Sequence, residues 1–335
     1  MRPANPIRAA LAAAILGALG VAAGGCAPTG DEASVEVEGV VVSSNPHLAT
    51  DPSVPTTVDI PYRAVGGQPQ FLDACLPPDF EPLTDPARPA VVVVHGGSWA
   101  RGSKNDIAWR AVCQWLGASG FATFAVDYRL APANPYPAAI DDLEAAVEWL
   151  RDPQQVARFG IDPDRIGALG GSAGGNLAAL LGTRGTGPLD EGSRVAAVVE
   201  LSAPIDLTGV AATDDFRPVQ AEYLGCVPAV ECPLALAASP STWVDASDPP
   251  FLVAHSTDEM IPLEQARILV RALRGVGVDT TFVQVEGRLH SIAMIDDDLK
   301  ARILEFLGRT LSPRQLPIAP ATDDADADAA APNAG

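Results

Sequence analysis

The apolar positions along the chain follow two alternating patterns. Continuous aliphatic or β-branched runs occur at 89–94 (PAVVVV), 121–126 (FATFAV), 195–201 (VAAVVEL) and 251–255 (FLVAH). Such runs read as strands buried on both faces. Between them, apolar residues recur at helical spacing. Ile107, Val112, Trp115 and Leu116 do so within 104–118, and Ile140, Leu143, Val147 and Leu150 within 138–151. RIGALGG (165–171) predicts a short strand running into a helix that contains NLAALLG (176–182). Further helices are expected at 262–274 and 296–310, and a last strand at TTFVQVEG (280–287). Two earlier strands, 57–64 and 69–76, flank AVGGQ, whose two glycines predict a hairpin turn. Strands alternating with helices at this spacing imply an α/β fold: a mostly parallel sheet covered by helices on both faces.

The rhythm breaks between Ser202 and Trp243, so residues 203–243 read as an insertion. A long irregular insertion at the strand ends of such a sheet serves as a lid or substrate wall. The pattern also fails at both ends of the chain. Residues 1–25 hold Arg2 and Arg8, an apolar stretch over 9–23, and then small residues before Cys26. The stretch is too short for a membrane span and reads as an export signal. Its end resembles a bacterial lipoprotein signal, which implies lipidation of Cys26 and a membrane tether. Ala23, rather than a large aliphatic residue, stands three positions before that cysteine, so ordinary cleavage near Ala23 is the alternative. Residues 26–56 read as a flexible tether with one short strand over 35–42. Residues 57–313 form the folded domain, and the acidic 314–335 read as a solvated tail.

Charge and cysteine count narrow the class. The 335-residue chain carries a formal charge of −20, and loss of Arg2 and Arg8 with a signal takes it to −22. No basic patch stands out, which argues against nucleic acid as a partner. Export places the cysteines where disulfides persist. Cys226 and Cys232, close together in a Pro-containing loop, are the best pair. Cys75 and Cys113 read either as a second pair or as buried thiols. No pair of histidines has metal-ligand spacing, and no phosphate-binding glycine loop is present, so no cofactor is expected.

The candidate chemistry centres on GGSAGG (170–175). Gly170, Ser172 and Gly174 fit G-x-S-x-G, and the flanking strand and helix supply the context this motif requires. Glycines clear space around a strained turn so that the hydroxyl projects above the sheet. A serine hydroxyl needs a base. The chain has four histidines. His47 lies in the tether, His95 reads as a brace for the loop it opens, and His255 as a strand-end core residue. His290 follows the last strand and is the expected base. Asp258, after the 251–255 strand, is the expected acid, with Glu259 its neighbouring rival and Asp206, Asp245 and Asp248 poorer choices. The order Ser172, Asp258, His290 satisfies the Ser–acid–His order. The amides of Gly97, Ser98 and Ala173 are the expected oxyanion donors. Trp99 and Trp243 read either as pocket walls or as packing.

HGGSW (95–99), VDYRLAP (126–132), GGSAGGNLAA (170–179), HSTDEMIP (255–262) and the late His290 together resemble the α/β-hydrolase carboxylesterases. The likeness spans about residues 57–310. Its nearest groups are relatives of hormone-sensitive lipase and bacterial acetyl- and feruloyl-esterase-like enzymes. Ser98 replaces the third glycine common in the former group, and HGGSW fits the HGGxW form of arylformamidases and the feruloyl-esterase-like branch. HST stands where many relatives have HGT. The resemblance implies a serine hydrolase acting on a small-molecule ester by an acyl-enzyme route. A formamidase or peptidase on the same fold is the enzymatic alternative, and a non-catalytic binding protein the alternative of another class. The sequence sets neither acyl length nor oligomeric state.

Overall fold

A computed structural model describes residues 36–37, 40–41, 45–209, 213, 216–226 and 232–312. The expected signal, Cys26, about half of the tether and the acidic tail lie outside these residues. The chain divides into two units, Met1–Ser43 and Ser44–Gly335. In the first, β1 (Glu36–Val37) and β2 (Val40–Val41) pair antiparallel, two short strands in place of the single one expected over 35–42. In the second, residues 45–55, read from sequence as the end of a tether, pack onto the domain. Leu48 and Val54 are buried, and Asn45 Nδ2 donates to the carbonyls of Ile292 and Ile295 at 2.8 Å each.

The domain is built on one eight-stranded sheet. Its strands are β3 (Thr56–Val65), β4 (Gln68–Cys75), β5 (Arg88–Val94), β6 (Ala122–Val126), β7 (Ile161–Gly171), β8 (Ala197–Leu201), β9 (Phe251–Ser256) and β10 (Thr280–Val285). They lie in the order β10-β9-β8-β7-β5-β6-β4-β3. The hairpin β3–β4 and the β4–β6 pair are antiparallel, and the rest are parallel. Gly66 and Gly67 turn the hairpin at φ 58° and 79°.

Strand β5 shows why the apolar runs become central strands. Ala90, Val92 and Val94 face one core, whereas Val91 and Val93 face the other. Helices α2 (Ala138–Arg151), α4 (Ala173–Thr183) and α7 (Glu264–Gly275) cover the first face, and α1 (Ile107–Ala118) and α8 (Asp297–Thr310) the second. The expected stripe of α2, Ile140, Leu143, Val147 and Leu150, is fully buried. Ile107, expected inside, is 77 % exposed in the first turn of α1.

After β5 the chain steps to β6 on one side and then returns to β7 on the other. The loops leaving β5 and β7 therefore diverge at a switch point, where α/β sheets bind ligands. Elements of the insertion, α5 (Arg217–Leu224) and α6 (Leu234–Ala237), pack over the first face. The Tyr223 ring stacks on Trp99 at 4.2 Å, and Asn176 Nδ2 donates to Pro204 and Ala238 carbonyls. Cys75 is bonded to Cys113, tying β4 to α1, and Cys226 to Cys232 beside α5.

Candidate active site

Ser172 stands between β7 and α4 with φ 57° and ψ −125°, a conformation that costs a non-glycine residue energy and persists only where the surroundings enforce it. The surroundings are the glycines. A Cβ at Gly170 would lie 2.1 Å from the Gly174 carbonyl oxygen. One at Gly174 would lie 2.2 Å from the Val94 oxygen, so the turn closes onto the end of β5. The Ser172 amide donates to Leu201 O at 2.8 Å, which pins the elbow to β8. Ser172 itself is half-buried. The amide of Ala173 opens α4, where a helix has no internal acceptor for its first N–H groups.

The loop after β5 abuts this elbow. A Cβ on Gly96 would lie 3.0 Å from Gly171 O and 3.3 Å from Ser172 Cβ. Gly97 has φ 120° and no room for a Cβ, which would meet Arg101 O at 2.2 Å. Ser98 and Trp99 continue at φ 56° and 57°. Buried His95 anchors the loop as expected: its Nδ1–H donates to Gly96 O at 2.8 Å and its ring stacks on Tyr128. Burial holds its pKa below the usual histidine value. Tyr128 in turn donates to His95 O at 2.9 Å. Beneath, buried Lys104 bonds Asp59 and Asp73, while its amide donates to Asp127. Burial opposes the Lys104 charge, but the hydrogen bonds to the two carboxylates outweigh it and hold its pKa above the ordinary lysine value. Trp99 is fully buried, so it packs, and Trp243 is 40 % exposed with Nε1–H bonded to Ala237 O.

His290 arrives on the loop after β10. Its neighbour Ser291 occupies the space a Cβ on Gly171 would need, at 2.0 Å from the hydroxyl oxygen. That contact explains Gly171, and it brings the His290 loop against the residue before Ser172. The Ser291 amide donates to Ser202 Oγ at 3.1 Å, which holds the loop to the end of β8.

The acid facing His290 is Glu259, not the expected Asp258. His290 Nδ1–H donates to Glu259 Oε2, and the Glu259 side chain has no solvent exposure. Asp258 is 76 % exposed and sits 3.7 Å from Arg288. The backbone gives the reason. The amides of Thr257 and Asp258 donate to Val285 O and Gly287 O, tying the turn after β9 to the end of β10. Within this turn and the bend that follows, Asp258 and Met260 face solvent, whereas Glu259 and Ile261 face inward. His255, expected in the core, is fully buried directly behind Glu259.

Among the described residues, no group of three His, Cys, Asp or Glu side chains is arranged to hold a metal ion, and no helix is long and apolar enough to cross a membrane.

Comparison with known proteins agrees with this fold. The BD-FAE family model matches residues 72–273. Esterase LipC of Mycobacterium tuberculosis is 35 % identical over 230 residues, which cover 64 % of this chain and 55 % of that protein. Esterase LipQ of the same organism is 34 % identical over 233 residues, covering 67 % and 54 %. The chain thus spans about half the length of the curated relatives it matches. Among solved structures, the Est2 esterase of Thermogutta terrifontis superposes with a TM-score of 0.61 at 27 % identity, covering 79 % of this chain and 96 % of that one. A carbohydrate esterase from gut microbiota, at 23 % identity and a TM-score of 0.67, shares the fold and covers 79 % and 99 %. Elbow, loop and fold together place this chain in the BD-FAE family of α/β-hydrolase esterases.

Proposed function

We propose that the protein is an exported serine esterase that cleaves short-chain, acetyl or aryl esters through an acyl-enzyme. The observation that carries the reading is the strained Ser172 at the end of β7, with the imidazole–carboxylate pair His290–Glu259 on the loops after β10 and β9. Because Nδ1 of His290 is committed to Glu259, Nε2 is the nitrogen left to act as base. It takes the Ser172 proton as Oγ bonds the ester carbonyl carbon. Charge collects on the carbonyl oxygen, where the amides of Gly97, Ser98 and Ala173 stabilise it. The imidazolium returns its proton to the departing alcohol as the carbonyl–alkoxy bond breaks. Water, deprotonated by Nε2, then attacks the acyl-enzyme and releases the acid. Glu259 orients the imidazole and balances its transient charge.

The esterase names of the relatives favour esters over amides as substrates. Replacement Ser172→Ala is expected to abolish p-nitrophenyl butyrate hydrolysis and fluorophosphonate labelling while thermal unfolding stays cooperative. A wild-type protein that neither turns over esters nor takes the label would favour a binding role. A panel with acetylated sugars, feruloyl esters and N-formylkynurenine then ranks ester against formamide substrates.

Export and a membrane tether through Cys26 rest on the sequence of residues 1–26. Mass spectrometry of the protein from a bacterial host is expected to show an N-terminal, diacylglyceryl-modified Cys26. An unmodified terminus near residue 24 would instead mean a secreted form.

A further inference from the structure

Behind the pair His290–Glu259 lie two more buried titratable groups. His255, on β9, has Nε2 2.8 Å from Ile261 O and 3.0 Å from Glu259 Oε1. Both neighbours are acceptors, so the hydrogen must sit on Nε2. It donates to the Ile261 carbonyl, and Glu259 Oε1, 3.0 Å from the same nitrogen, has no hydrogen-bond partner. Burial lowers the His255 pKa, so the ring is a neutral dipole whose positive end faces the carboxylate. Glu200, on β8, is fully buried; its Oε1 accepts from the Ala203 amide and its Oε2 has no partner. Burial first, and the nearby Glu259 charge in addition, push its pKa up to about 8. Two carboxyls sharing a buried site do not both ionise readily. The groups facing Glu259 are Glu200 from β8, His255 from β9 and His290 from the loop after β10, with the exposed Asp258–Arg288 pair outside them.

We propose that His255 is a positioning residue that seats Glu259: held by its bond to the Ile261 carbonyl, the ring backs Oε1 so that Oε2 meets His290. The inference rests on the esterase reading above, with Glu259 as the acid. His255 does not touch substrate, so its loss should slow turnover without weakening binding. Misplacing a catalytic group through its support costs on the order of 10- to 100-fold.

The test is steady-state kinetics with p-nitrophenyl butyrate, each variant normalised to its active sites by the p-nitrophenol burst. His255→Leu, or His255→Met where the leucine variant does not fold, is expected to lower kcat about 10-fold or more with KM within about twofold. His255→Gln, whose amide can reach both Ile261 O and Oε1, should recover most of the loss. Unchanged kcat in the apolar variants, or no recovery by glutamine at 255, would overturn the proposal. Ser172→Ala is assayed alongside: if it keeps wild-type activity, the esterase reading itself fails. If it is inactive while the His255 variants behave as wild type, only the role of His255 fails.

Discussion

Ser172 and Glu200 are both held in states their chemistry disfavours, one in backbone conformation and the other in ionisation. For Glu200 the consequence is measurable. Its carboxyl moves from the ordinary glutamate value of 4.5 to about 8 in the fold. Below 4.5 it is protonated in the folded and unfolded chain alike. Between 4.5 and 8 the folded protein holds a proton that the unfolded chain has released, so stability falls as pH rises through that window. Glu200→Gln removes the dependence. Thermal melts should therefore show the variant gaining on wild type between pH 6 and pH 9, and an equal difference at both pH values would contradict the assignment. The glycines of the elbow divide the steric work. Gly170 and Gly174 let the turn close, Gly171 admits Ser291, and Gly175 packs 3.0 Å, from a Cβ at that position, against Ala203.

At the scale of elements, the buried strands were plain in the sequence because a strand covered on both faces must be apolar at every position. What was missed is short or lies at boundaries. Helix α3 (Pro153–Phe159) escaped because seven residues present too little periodicity, although its start and stop were written: Asp152 accepts from the Gln154 amide, Pro153 opens the helix and Gly160 ends it at φ 59°. Helix α5 carries the same marks in Pro218 and Gly225. Strand β7 begins at Ile161, earlier than RIGAL implies, because Ile161 pairs with Arg88 before a register shift to Ala90–Ile166. The bond between Cys75 and Cys113, which sequence left undecided, closes a separation of 38 residues between β4 and α1. Loop closure of that length is worth about 4 kcal/mol to the folded state. Replacing both cysteines by serine should lower the urea midpoint, with an m-value that rises as the unlinked denatured chain expands, and an unchanged midpoint would mean that the link contributes nothing.

Across the whole molecule, the site gathers from the ends of four strands, β5, β7, β9 and β10, which span residues 95 to 290. Chain order and motif spacing make Ser172, His290 and the HGGSW loop readable without coordinates, because each follows a strand, Ser172 sits in G-x-S-x-G, and His290 has only three other histidines as rivals. The acid was different. Asp258 and Glu259 satisfy the same order and the same strand end. Only the turn after β9, tied by the Thr257 and Asp258 amides to Val285 O and Gly287 O, sets one outward and the other to His290. The most direct test compares kcat/KM for p-nitrophenyl butyrate in Glu259→Gln and Asp258→Asn. Loss of a triad acid costs roughly four orders of magnitude. The structure predicts a loss of that scale for Glu259→Gln and activity within about twofold of wild type for Asp258→Asn; the reverse ranking would contradict the catalytic arrangement described.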